Sequence, residues 1–436
     1  MIQYVVSGPT RLYGECRVQG AKNSALPVLA ASLLAQGESV FGRIPAISDV
    51  DATLEILKSL GCRIRFENGE ARVDAADAAG TEIPDALMRE LRSSVIFLGA
   101  ILARFGSVRL SMPGGCEIGQ RPIDLHLHAM RKLGAAVDDA GGRIVCTAPG
   151  GLTGADIRLS FPSVGATENV MIAAATAKGT TTVYNAAREP EISDLADCLN
   201  GMGASITGAG ESTIVIEGVK KLRPARHTVL PDRIVAGTLL SAAAMTGGEI
   251  TLRHVVPAHL GPVVEVLEQA GCRVESDLHT LHLVSPRRLR AVGHVRTMPY
   301  PGFPTDLQAI VTAALCTAAG TSVVTETIFE SRFRYIGELT RFGAVIRTDG
   351  RMAVIEGVER LTPTGVAAPD LRGGAALLLA ALAADGESVI ANGELIERGY
   401  EDPAATFGAL GAGIKREVCC ENRGCENCGG GSEADA

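Results

Sequence analysis

The sequence predicts an α/β protein assembled from copies of one unit, and two repeating signals carry that prediction. The first is a glycine after an apolar residue, followed by Ala or Cys and an alternating run: "SLGCRIRF", "KLGAAVDD", "GMGASITG", "QAGCRVES", "RFGAVIRT" and "ALGAGIKR". Gly61, Gly134, Gly203, Gly271, Gly343 and Gly411 recur at intervals of 73, 69, 68, 72 and 68 residues. The unit is therefore about 70 residues long, and six units cover nearly the whole chain. The second signal is an Ala- and Leu-rich stretch that stops at a glycine and opens a β-rich run, as in "LLAQGESVF", "ILARFGSVRL" and "LAADGESVI". Gly37, Gly106, Gly179, Gly248, Gly320 and Gly386 in these runs read as helix C-caps.

Taken in order, each unit reads as a helix, its glycine stop, a strand, a loop, a second helix, the glycine turn and a β-hairpin such as "CRIRFENGEARV". A chain of 436 residues with 46% hydrophobic and 21% charged residues has material for two sizeable cores. The net charge of −8, the absence of Trp and the presence of only six Tyr argue against a nucleic-acid partner. The N-terminus lacks a charged region followed by an apolar core, and "AALLLAALAA" is far shorter than the ~20 residues a spanning helix needs. No membrane insertion is expected. Seven of the eleven cysteines are scattered singly, which suits a reducing, cytoplasmic setting.

The start of each unit's first helix lies 14 or 15 residues before its stop glycine. The residues there are Lys22, Arg92, Gly165, Arg233, Asp306 and Arg372. Ser, Thr and Asp at such positions can be plain caps. Cations oppose the helix dipole there, so they call for another reason. If these ends converge on an anion, free N–H groups, dipoles and guanidinium forks act together, and the ligand is strongly anionic.

One loop has a different chemistry. In "SMPGGCEIGQRPIDLH", Cys116 follows two glycines in a polar stretch, whereas a space-filling cysteine such as Cys316 sits in an apolar run. Cys116 is either incidental or reactive, and cations nearby would lower its thiol pKa from ~8.5.

With these motifs in order, "VQGAKNSALPVLAASLLA", "PGGCEIGQRPIDLHLHAMRKLGA", "FPSVGATENVMIAA", "NAAREPEISDLA", "LPDRIVAGT", "FPTDLQA", "TIFESRFRYIGEL", "DLRGGAAL" and "ERGYED", the chain resembles the UDP-N-acetylglucosamine enolpyruvyl transferases over residues 1 to 416. The resemblance implies two inside-out α/β barrel domains of three repeats each. Residues 1–21 plus 231–416 would form one and 22–230 the other, with 417–436 as a Cys-rich, disordered tail. It implies transfer of the enolpyruvyl group of phosphoenolpyruvate to the 3′-hydroxyl of UDP-N-acetylglucosamine, with release of phosphate, as the committed step of peptidoglycan synthesis. The cleft between domains would close during this chemistry and exclude water.

The same resemblance implies the site. Cys116 would protonate C3 of phosphoenolpyruvate and be the point of covalent modification, including by fosfomycin, and Asp306 would be the base at the sugar hydroxyl. Read by itself, "PTD" is equally a cap. Lys22 would be the third catalytic group. Lys22, Asn23, Arg121, Arg398 and Arg372 would bind phosphoenolpyruvate. Arg92, Arg121, Pro122, Ile123, Asp124, Leu125, Ser163, Val164, Asp306 and Ile328 would bind the nucleotide sugar. Pro122 and Asp124 also suit a helix start on local grounds. Glu189, Asp232 and Asp370 would support the site electrostatically. Neither cofactor nor metal is implied.

Some positions depart from the family pattern. Leu395 and Glu397 stand where many members have His and Asp, which bears on the packing of Arg398, and Phe161-Pro162 replaces a Lys-Val of some members. The tail's Cys419, Cys420, Cys425 and Cys428 have spacing that could ligate zinc or an iron–sulfur cluster, but a disordered tail with exposed thiols is the preferred reading. Two other functions compete: an enolpyruvylshikimate-phosphate synthase activity, against which the Gly-Gly-Cys loop argues, and a non-catalytic nucleotide-sugar sensor, against which Cys116 and Asp306 argue.

Overall fold

The computed structural model describes residues 1–112 and 123–419. Each unit begins with an inner helix: Lys22–Ala31, Phe97–Phe105, Val164–Ala174, Arg233–Met245, Gln308–Leu315 and Leu371–Ala383. These segments carry apolar and small residues all round instead of in one stripe. Nearly every residue in them is buried, as expected of a helix enclosed by protein.

The strand after each inner helix, for example Glu249–Arg253 or Thr321–Thr325, alternates buried and more exposed positions. One face of each sheet therefore packs on the helices and the other meets water. Helices inside and sheets outside make the arrangement inside-out. Hairpins 63–74, 136–147, 205–217, 273–284 and 345–356 pair antiparallel in their sheets. A short parallel strand completes most of the sheets: Arg226–Thr228, for example, lies beside Glu38–Gly42, and Tyr13–Arg17 beside Glu249–Arg253.

The sixth unit departs from the predicted hairpin. Its strand Gly413–Val418 pairs with the chain's first strand, Ile2–Gly8, which in turn pairs with Gly386–Ala391. Among the described residues, the N-terminal strand takes the place of the second hairpin arm. The pairing runs to Val418, so Glu417 and Val418 belong to the sheet and not to the tail.

All six turn glycines have positive φ, between 85° and 102°, a region closed to most side chains. The stop glycines need correction. Only Gly106 caps its helix directly, at φ 71°. Gly37, Gly179, Gly320 and Gly386 adopt positive φ a few residues after their helices end, where the chain turns into the strand. In the fourth unit Gly247 takes the positive φ instead. Gly248 is needed for closeness, because a Cβ there would lie 2.3 Å from the Leu12 carbonyl oxygen.

Two hydrophobic cores result. One gathers buried residues from Ala25 to Val229, and the other takes Tyr4 to Val18 together with Ile234 to Leu410. The chain passes between them twice, and the two passages lie side by side. Ala21 donates to the Leu230 carbonyl at 2.7 Å, and Asp232 N donates to the Gln19 carbonyl at 2.9 Å. Among the described residues, no helix is long and apolar enough to cross a membrane.

Candidate active site

Lys22 is the first residue of its helix, at one of the two passages between cores, and is buried. Its Nζ lies 2.6 Å from Asp49 Oδ2, and its backbone N donates to Asp232 Oδ2 at 3.1 Å. Arg398 reaches the same carboxylate from the other core, with Nε 2.9 Å from Oδ1 and Nη2 3.4 Å from Oδ2. Burial pushes the Lys22 ammonium below its ordinary pKa, with Asp49 opposing and Arg372 and Arg398 adding to the fall. Burial alone would raise Asp49, but the two cations reverse this and hold its carboxyl below the usual range. Asn23, next to Lys22, is the partly exposed residue of an otherwise buried helix.

A second cluster forms around Asp306. Its Oδ1 accepts from Arg332 Nη2 at 3.0 Å and its Oδ2 from Arg372 Nη2 at 3.2 Å. Asp306 is not the cap of its turn. Pro304 holds that position, with no side-chain cap bond. Both arginines are almost fully buried, and Arg332 Nε and Arg372 Nη1 have no hydrogen-bond partner among the described residues. Burial opposes the charge on Arg372, yet Asp306, Tyr400 and Asp232 raise its pKa overall. Asp370 caps the helix that carries Arg372, accepting from Arg372 N and Gly373 N at 2.9 and 3.0 Å. Buried Glu326 organises the adjoining loop. It accepts from Thr297, Thr305 and the backbone N of Ile328 at 2.9, 2.9 and 2.7 Å, which fixes Ile328 beside Asp306's turn.

Of the residues expected on the nucleotide-sugar side, Ile123, Asp124, Leu125, Ser163 and Val164 fall on two neighbouring helix starts. Ile123, Asp124 and Leu125 begin the helix Asp124–Lys132. Ser163 caps Val164–Ala174 by accepting from Ala166 N at 3.3 Å. His126 joins the two helices. Asn169 Nδ2 lies 2.7 Å from its Nδ1, and a Cβ on Gly165 would sit 3.2 Å from its Cε1. Burial lowers the His126 pKa to about 4 and keeps the ring neutral.

The cations at helix starts are not all free for a ligand. Arg233 is committed to Glu191, with Nε–Oε1 3.0 Å and Nη2–Oε2 3.3 Å, and its guanidinium lies over the Tyr300 ring. The prediction that such cations gather on an anion is thus corrected for Arg233, because a buried guanidinium at a dipole's positive end needs a carboxylate of its own. Glu189 accepts from Tyr300 N at 3.4 Å across the cores, and burial raises its pKa. Burial also raises Asp232, which caps the helix Arg233–Met245.

Glu397, one of the departures, bonds Tyr4 Oη at 2.8 Å and Arg416 Nε at 2.6 Å, which leaves Arg398 free to reach Asp49. Leu395 packs against the second core. Arg92 opens the turn Arg92–Ile96. Its side chain, together with Cys116, Arg121, Pro122 and the tail residues Cys420, Cys425 and Cys428, lies outside the described residues. Sequence reasoning missed Asp49, Arg332 and Glu326. Arg332 stood inside the quoted "TIFESRFRYIGEL" with no role given, and Asp49 carried no local signal beyond a first-turn acid. Among the described residues, no group of three or more His, Cys, Asp or Glu could hold a metal ion.

This arrangement brings together two clusters in which a carboxylate bridges cations: Asp49 with Lys22 and Arg398, and Asp306 with Arg332 and Arg372. The chain belongs to the EPSP synthase (3-phosphoshikimate 1-carboxyvinyltransferase) family, whose model matches residues 6–407. Within it, the chain is 50% identical over 416 residues to UDP-N-acetylglucosamine 1-carboxyvinyltransferase 2 of Caldanaerobacter subterraneus subsp. tengcongensis, covering 95% of this chain and 100% of the relative. It is 49% identical to UDP-N-acetylglucosamine 1-carboxyvinyltransferase 1 of Symbiobacterium thermophilum, covering 95% of each. Among solved structures, the enolpyruvyl transferase NikO from Streptomyces tendae superposes with a TM-score of 0.86 at 26% identity, covering 96% of this chain and 99% of that one. EPSP synthase from Acinetobacter baumannii shares the fold at a TM-score of 0.75 and 19% identity, covering 96% and 100%.

Proposed function

We propose that the chain transfers the enolpyruvyl group of phosphoenolpyruvate to the 3′-hydroxyl of UDP-N-acetylglucosamine and releases phosphate. The observation that carries this reading is the near-full-length match, at half of all positions, to relatives that bear that activity in their names. The geometry agrees with it. Asp306, held between Arg332 and Arg372, is the group that takes the sugar hydroxyl proton as oxygen bonds to C2 of phosphoenolpyruvate. Cys116 gives a proton to C3. The tetrahedral adduct then loses a C3 proton and expels phosphate, which restores the enol ether. Lys22, Arg121 and Arg398 hold the phosphate and carboxylate, with Asn23 and Arg372 beside them, as charge-assisted donors suited to such anions. Arg92, Pro122, Ile123, Asp124, Leu125, Ser163, Val164 and Ile328 line the nucleotide-sugar side.

We take residues 1–21 with 231–418 as one domain and 22–230 as the other, supported by the two separate cores and by the pairing of Gly413–Val418 with the first strand. The reaction is placed in the cytoplasm, which the free state of every described cysteine supports. Phosphate release with phosphoenolpyruvate and UDP-N-acetylglucosamine tests the reading. Release with shikimate 3-phosphate as acceptor and none with the nucleotide sugar would overturn it. Binding of the sugar without release would favour a sensor.

A further inference from the structure

We infer that Asp49 is a positioning residue of the phosphoenolpyruvate subsite: it holds Lys22 of one core and Arg398 of the other at a single anion position. The inference rests on the proposed roles of Lys22 and Arg398. Asp49 lies in the first turn of the helix Ser48–Ser59, where an acid is ordinarily explained by the helix dipole. That explanation does not account for the geometry. The helix has no side-chain cap, and both Asp49 oxygens are taken by cations: Oδ1 by Arg398, and Oδ2 by Lys22 and Arg398. The carboxylate is buried, so its two partners are the reason it stays charged. The neighbouring backbone holds the same junction together. Ser48 N donates to the Glu397 carbonyl at 3.4 Å, and Ala46 N donates to Glu401 Oε1 at 2.9 Å.

Asp49 therefore does two things. It orients a guanidinium and an ammonium that start from different cores, and it keeps the ammonium charged. Among the described residues, the charged groups facing Lys22 are Asp49, Arg372 and Arg398, with Asp232 bonded to its backbone N. Of these, Asp49 favours the ammonium, while both arginines and burial disfavour it. Removing the Asp49 charge makes Lys22 lose its proton at lower pH, so anion binding is lost earlier as pH rises.

Asp49→Asn keeps size and hydrogen bonding but not charge. Affinity for inorganic phosphate, measured by calorimetry at pH 7.5 and pH 9, should fall about ten-fold more across that interval in Asp49→Asn than in the unmodified protein. Asp49→Glu should restore the original pH dependence. In a Lys22→Arg background, where the cation does not titrate, the Asn substitution should add none. In turnover, KM for phosphoenolpyruvate should carry the same alkaline sensitivity more than kcat does. Equal pH dependence of phosphate binding in Asp49→Asn and the unmodified protein, at matched melting temperatures, overturns the inference. So does failure of the unmodified protein to bind phosphate at all, or of Asp49→Glu to restore the pattern. If phosphate binding follows the pattern but no enolpyruvyl transfer occurs, Asp49 keeps its role and the proposed reaction falls.

Discussion

Asp306 accepts from Arg332 through one carboxylate oxygen and from Arg372 through the other, at 3.0 and 3.2 Å, so two guanidiniums from separate segments meet on one side chain. An amide in its place has one acceptor oxygen and an NH2 group that cannot face a guanidinium. Asp306→Asn should leave nucleotide-sugar affinity within a few-fold and cut turnover by about a hundred-fold or more, the scale of a lost general base. Calorimetry and phosphate release separate the two effects. Turnover near the original value would reduce Asp306 to an arginine tether.

The Cys116 role is reached through chemistry. An epoxide phosphonate such as fosfomycin should alkylate this thiol and do so faster when UDP-N-acetylglucosamine is present, as read by mass mapping of the adduct. Cys116→Asp should resist the compound and retain part of the acid function. An adduct found on another cysteine would remove Cys116 from the mechanism.

Arg233 and Glu191 form a buried pair, with side chains 10% and 5% exposed. Truncating one partner strands a buried charge, at a cost of about 3–5 kcal/mol. Glu191→Ala should lower the unfolding free energy by that order. Adding Arg233→Met should recover part of the loss, measured by denaturant titration of both variants.

His126 gives a stability dependence on pH. Its folded pKa, about 4, lies below the ordinary 6.5, so the unfolded chain binds the proton first as pH falls. Its contribution is therefore fully present above pH 6.5 and is lost as pH drops toward 4. At pH 5 the loss amounts to about 2 kcal/mol. Urea unfolding at pH 7 and pH 5 should show it, and His126→Gln should remove most of the difference while keeping a polar partner for Asn169.

A close approach at the passage between cores sets the last prediction. A Cβ on Gly20 would lie 1.7 Å from the Arg43 carbonyl oxygen, so Gly20→Ala must displace backbone. The variant should be destabilised by at least about 1–3 kcal/mol, the range for overpacking. An unchanged denaturant midpoint would show that the passage is looser than it stands.

How much of this was legible in the sequence follows from the distance between interacting residues. The six turn glycines were readable because positive φ is a local demand that few other residues meet. Asp306 and Arg372 were readable because each marks a helix start within a repeat. Asp49 was not, since its partner Arg398 lies 349 residues away and nothing near Asp49 announces it. Arg332 was hidden in the same way, behind a fold that brings it to Asp306. Gly248 was misread as a cap because a stop glycine and a close-contact glycine look alike until the Leu12 carbonyl is in place.

The strand Ile2–Gly8 lies between the two strands of the last unit, Gly386–Ala391 and Gly413–Val418. On the ribosome, this strand must therefore wait for partners made much later before its sheet exists. The core that runs from Ala25 to Val229 has all its pieces much earlier and can be finished while the rest is still being translated. The nascent chain thus carries a completed half together with an unpaired early strand, whose edges stay open until the last unit has been made.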